Sequence, residues 1–230
     1  MKKRVFLLAA LGLAAVLVAG GLVASNMGFK VNYLLEGPES TTSSTGSNRL
    51  GLPYNQQTSL TTAEDLIIDI NADAGANVFL NGGLVSRRIR TTNALEFYTG
   101  FAGTNFTITP GEGYNVIVDS SVSYIIVGSH DPTLGIVLDG PGDNGSATGS
   151  QLYSNPYHST AANAEDLINE INAAAGANVF LNGGLVSRRL RISNANQFYT
   201  GFAGTNFALT PGEAYTVIVD SGVTFVPSHY

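Results

Sequence analysis

No cysteine occurs anywhere in the 230 residues. That excludes disulfides, thiolate-ligated zinc, c-type haem attachment and a lipidated N-terminal cysteine. Histidine occurs only at His130, His158 and His229, too few and too scattered for a zinc site. Basic residues are scarce as well. With Lys2, Lys3 and Arg4 set aside, eight remain against seventeen acidic ones, a net charge of −9. This balance argues against nucleic acid and anionic membrane surfaces as partners. Tryptophan is missing, while glycine and tyrosine are plentiful, a composition suited to a β-rich extracellular chain with many turns.

Long hydrophobic runs are also absent, with one exception. "MKKR" is followed by "VFLLAALGLAAVLVAGGLVA", a basic region and an apolar stretch that read as a secretory signal over residues 1–25. An uncleaved membrane anchor is the competing reading, since about 20 apolar residues span a bilayer. The small residues near Ala24 and Ser25 and the polar "SN" favour cleavage. The expected location is extracellular or at the cell surface, with no membrane contact after cleavage.

What the chain does have is an internal repeat. Displaced by 101 positions, residues 63–120 match 164–221 at 46 of 58 places. With a two-residue gap the likeness extends upstream, where "LLEGP" at Leu34 answers "VLDGP" at Val137. The period is too long for a solenoid, so the expectation is two tandem homologous domains, 26–130 and 131–230.

Each repeat opens with a short helix. Thr62 and Asp65 form a capping-box pattern before "AEDLIIDINADA", and Gly75 supplies a stop. Asn163 and Asp166 preserve the pattern in the second copy. Everything after the helix reads as strand. "ANVFL" and "LVSRRIR" flank Asn81-Gly82, a strong hairpin signal. "LEFYTG" follows, then "NFTIT" and "YNVIVD" about a "PGEG" turn, then "VSYIIVG". Phe106 and Ile108 are expected to share a face with Tyr114, Val116 and Val118. The expected fold class is β-rich α+β: in each domain a mostly antiparallel sheet, one short helix and an N-terminal leader strand.

The first leader, 27–36, alternates Met27, Phe29, Val31, Tyr33 and Leu35 with more polar neighbours, the pattern of a half-buried strand. A Ser/Thr/Gly tether, 37–48, follows it. The second leader, 133–139, continues directly from the first domain. The first has no predecessor, so its five apolar residues are the expected assembly interface. They would add to the sheet edge of the next copy and build a head-to-tail filament or surface layer. The competing arrangement is insertion into the leader's own domain.

"RRIR" and "RRLR" hold six of the eight remaining basic residues, Arg87, Arg88, Arg90, Arg188, Arg189 and Arg191. They are candidates for binding an acidic partner, either a neighbouring copy or an acidic surface glycan. Ordinary cross-strand pairing, as with Glu96, is the alternative. "SHD" at 129–131 holds triad residue types, but adjacent strand residues point to opposite faces, and the second copy reads "SHY". "DINADAG" lacks the downstream glutamate of a calcium loop, and "DGPGDNG" around Asp139 and Asp143 reads first as a turn cluster. No catalytic residue, metal or cofactor is therefore expected. The expected function is that of an exported, non-enzymatic structural protein whose partner is itself. A monomeric glycan-binding module or adhesin is the alternative.

Overall fold

The computed structural model describes residues 28–40, 43, 45–56, 60–129 and 131–229. The segment expected to be a signal, residues 1–25, lies outside them, as do Met27 and His130. The described residues form four antiparallel sheets and two short helices, so the chain is β-rich with a small helical share. No described helix is long and apolar enough to cross a membrane.

In the first repeat the strands are β1 (Phe29–Leu35), β2 (Ser47–Gly51), β3 (Asn55–Gln56), β4 (Leu84–Arg88), β5 (Leu95–Tyr98), β6 (Gly113–Ile117) and β7 (Val122–Ser129), and the helix is α1 (Ala63–Ala74). The second repeat holds β8 (Ile136–Leu138), β9 (Ser150–Ser154), α2 (Ala164–Ala175), β10 (Leu185–Arg189), β11 (Asn196–Tyr199), β12 (Ala214–Ile218) and β13 (Val223–Phe225). The larger sheets run β2-β6-β4-β5 and β9-β12-β10-β11, and the smaller ones β1-β7-β3 and β8-β13.

Helix α1 starts where its cap dictates. The Thr62 hydroxyl accepts from the Asp65 amide, and the Asp65 carboxylate accepts from the Thr62 amide in return. Gly75 ends the helix in the left-handed region at φ 66°, which a side chain would strain. Leu66, Ile67 and Ile70 are buried as the stripe required. They meet Leu35, Leu50, Phe79, Tyr114 and Tyr124 in one apolar core, and a second core repeats this around α2.

Both expected hairpins are corrected. "ANVFL" is not a strand. The Asn71 side chain accepts from the Val78 amide, and Asp119 accepts from the Asn81 amide. Those donors are thus taken by side chains, leaving Val78 and Phe79 in a buried loop beneath the helix. Strand β4 pairs with β5 and β6 instead. "NFTIT" is likewise a loop, although Phe106 and Ile108 enter the core beside Tyr114, Val116 and Val118 as their parity required. The tether is also shorter than expected, because β2 begins at Ser47 and pairs with β6.

The leader is seated in its own chain. Strand β1 runs antiparallel to β7, with Leu35 opposite Val122 and Tyr33 opposite Tyr124. Tyr33 and Leu35 are buried, and Val31 packs against the same core. This is the self-inserted arrangement. Strand β8 pairs with β13 in the equivalent register, Leu138 opposite Val223.

Each large sheet has one face on its helix and core. Its other face, carrying Ser47, Arg49, Asn115, Ser86 and Arg88 in the first repeat, is turned towards the equivalent face of the second. The contacts are reciprocal. The Gly51 amide donates to the Gly212 carbonyl at 2.8 Å, and the Ser154 amide donates to the Gly111 carbonyl at 3.0 Å. A Cβ on Gly113 would lie 2.4 Å from the Cβ of its counterpart, Ala214. Equivalent positions thus meet each other, which is the signature of a contact about a local twofold axis.

Candidate functional site

The six repeated arginines separate into three pairs with different surroundings. Arg87 and Arg188 lie on the core side of their sheets. The Arg87 guanidinium sits 4.9 Å from the Phe106 ring centre and 2.8 Å from Glu96. Arg188 lies 5.0 Å from Phe207 and donates to Gln197 at 2.7 Å. The loss of one carboxylate between copies therefore keeps the geometry of the bond. These two are packed within their own repeats.

Arg90 and Arg191 cross between repeats. Arg191 meets Glu36 at 3.0 Å, donates to the Leu34 carbonyl at 3.1 Å and to the Tyr33 hydroxyl at 2.7 Å, and stacks on that ring at 5.0 Å. Arg90 meets Asp139 at 2.9 Å and the Val137 carbonyl at 3.4 Å. Each arginine thus clasps the leader of the opposite repeat, and Glu36 and Asp139 are correspondingly buried. Asp139 and Asp143 form an Arg and turn cluster. Asn144 donates to Asp139, while the amides of Gly140 and Gly222 donate to Asp143. Among the described residues no group of acidic or imidazole side chains is arranged to hold a metal ion.

Arg88 and Arg189 are the third pair, and they carry the candidate site. They point to the sheet faces that meet, and each donates to an asparagine in its following turn, Asn93 or Asn194. Both act on Arg49 of β2. Burial, then the charges of Arg189 and Arg88, push the Arg49 guanidinium down to about 10. The charges acting on Arg49 are thus further cations. Nε of Arg49 and of Arg88 are buried and find no hydrogen-bond partner among the described residues. By register, Phe97 of β5 and Phe198 of β11 lie on the same faces, and both rings are half exposed.

Among the described residues the charges that act on Arg49 are those of Arg189 and Arg88 and of no carboxylate, and guanidinium groups so placed, on sheet faces that also carry half-exposed rings, can receive an anion by charge-assisted hydrogen bonds. Sequence reading missed Arg49 because its counterpart is Leu152, so it lies outside the repeated motif. The available signal was that it and Lys30 are the only basic residues left once the repeated arginines and the N-terminal run are removed. The four described leader residues, Phe29, Val31, Tyr33 and Leu35, do not gather into a free surface. Tyr33 and Leu35 belong to the first core, Phe29 stacks on Tyr157 of the second repeat at 4.5 Å, and Met27 lies outside the described residues. No family model matches the chain, and neither does any curated protein or solved structure.

Proposed function

We propose that the chain is an exported, non-enzymatic binding module of the cell surface or extracellular space. It consists of two homologous domains clasped into one closed unit, and Arg49, Arg88 and Arg189 receive an acidic group of a surface glycan. The observation that carries this reading is the uncompensated cation cluster, with Arg49 and Arg88 each holding a buried, unpartnered Nε among the described residues. Keeping three like charges together costs stability in the free protein, and a carboxylate or sulfate relieves that cost on binding. The N-terminal signal pattern supports export.

Calorimetric titration of the full chain with an oligogalacturonate, at low and high salt, tests the proposal. Saturable binding that weakens with salt is expected, with a loss of at least tenfold in Arg49→Gln combined with Arg88→Gln. Binding by Lys30→Gln should be unchanged. Failure of the unmodified chain to bind at low salt, or equal binding by the double variant, overturns it.

Head-to-tail assembly by strand addition is the second reading. The observation favouring it is that β1 lies at the edge of its sheet with Leu34 exposed. Against it, Arg191 already occupies the Leu34 carbonyl, and exchange between copies requires β1 to leave β7 and its buried Tyr33 and Leu35.

A further inference from the structure

The two clasps are built from equivalent positions, yet one is filled and the other is open. In the filled clasp Tyr33 lies against Gly212, under Arg191. Its ring is 5.0 Å from the guanidinium, and its hydroxyl accepts from Arg191 and donates to the Arg49 carbonyl at 3.0 Å. Position 136 is the counterpart of position 33, because Ile136 faces Phe225 as Tyr33 faces Tyr124. Ile136 approaches Gly111 as Tyr33 approaches Gly212. It is smaller and has no ring for Arg90 to cover. The result is a cleft of about 230 Å³ lined by Arg90, Glu112, Ile136, Gln151, Leu152 and Tyr153 among others. Consistent with the missing ring, the Arg90 side chain is 40% exposed where that of Arg191 is 27% exposed.

We propose that this cleft binds a phenolic ring, which takes the place that Tyr33 fills in the opposite clasp. The site is distinct from the arginine cluster and does not rest on it. The cleft already has the components of a phenol site. Arg90 is held by Asp139 at 2.9 Å with its guanidinium beside the opening. Leu152, whose counterpart Arg49 supplies the acceptor carbonyl for Tyr33, lines the wall. The remaining lining is largely apolar, as a flat ring requires. Its volume is below that of drug-sized pockets and suits a single ring. The source of the phenol is either a free small molecule or the tyrosine side chain of a partner segment. The two share one chemistry and differ in whether flanking peptide adds affinity.

The test is calorimetric titration of the full chain with 4-methylphenol and, separately, with the tripeptide Gly-Tyr-Gly. One site per chain is expected, with a dissociation constant on the order of millimolar for so small a ligand. Tighter binding of the tripeptide assigns the site to a partner's tyrosine, and tighter binding of the free phenol assigns it to a small molecule. Ile136→Tyr fills the cleft from within and should weaken binding at least tenfold while raising the melting temperature. Arg90→Gln removes the cation beside the buried Asp139 while keeping an amide that can donate to it, and should also weaken binding at least tenfold in a chain whose melting transition remains cooperative. Tyr33→Ile should open the second cleft and raise the stoichiometry to two. Absence of saturable binding of either probe to the unmodified chain, or unchanged binding in both Ile136→Tyr and Arg90→Gln, overturns the proposal.

Discussion

At the scale of single residues, the clasp arginines show how placement decides what a charge is worth. Exposed ion pairs contribute little, but the Glu36 side chain is only 8% exposed. Removing Arg191 takes the cation away from a buried carboxylate. Arg191→Ala should therefore cost about 3 kcal/mol in urea unfolding, near the low end for broken buried pairs because the arginine is itself partly exposed. A cost below about 0.5 kcal/mol would return the pair to the surface class. Glu112 and Glu213 behave oppositely. Burial lifts both carboxyls above their ordinary value of 4.5, against the lowering by Arg87 at Glu112 and by the Tyr215 hydroxyl at Glu213. The folded chain therefore holds these protons more tightly than the unfolded one. Their contribution is fully favourable below the unfolded value and is lost as pH rises through the raised folded values. Glu112→Gln with Glu213→Gln should flatten the fall in melting temperature as pH rises above 4.5. An equally steep fall in the double variant contradicts the assignment.

At the scale of elements, the close approach of β6 and β12 explains a difference between the two copies. Position 113 is glycine where position 214 is alanine, and the two meet near the local axis with no room for a second methyl group. Gly113→Ala should cost about 1–3 kcal/mol by overpacking, and adding Ala214→Gly should recover most of the loss. An additive double variant, measured by a mutant cycle, would remove this account of the divergence. The same elements show what was legible beforehand. The caps and stripe of α1 are local, and they were readable from Thr62, Asp65, Leu66 and Gly75. The alternation of 29–35 and of 114–118 also gave the buried faces correctly. Pairing partners were not readable, because they depend on contacts far apart in sequence. The Asn81-Gly82 hairpin fails because Asn71 and Asp119 bind the backbone amides first. The arginine cluster needs Arg49, Arg88 and Arg189 from three separate strands, and no local pattern announces that meeting.

At the scale of the whole molecule, the repeat has a physical role as a pair of complementary halves. A head-to-tail contact between copies leaves one surface open at each end, whereas a contact about a twofold axis closes on itself. The backbone bonds at Gly51 and Ser154, the clasps of Arg90 and Arg191, and the opposition of Gly113 to Ala214 are all of the second kind. The sequence repeat alone supports either arrangement, since tandem copies suit a polymer as readily as a closed pair. Sedimentation velocity of residues 26–230 across the micromolar range tests the closed pair most directly. A closed pair gives a single species of one-chain mass that does not change with concentration. Growth into progressively larger species as concentration rises would contradict it and restore strand exchange between copies.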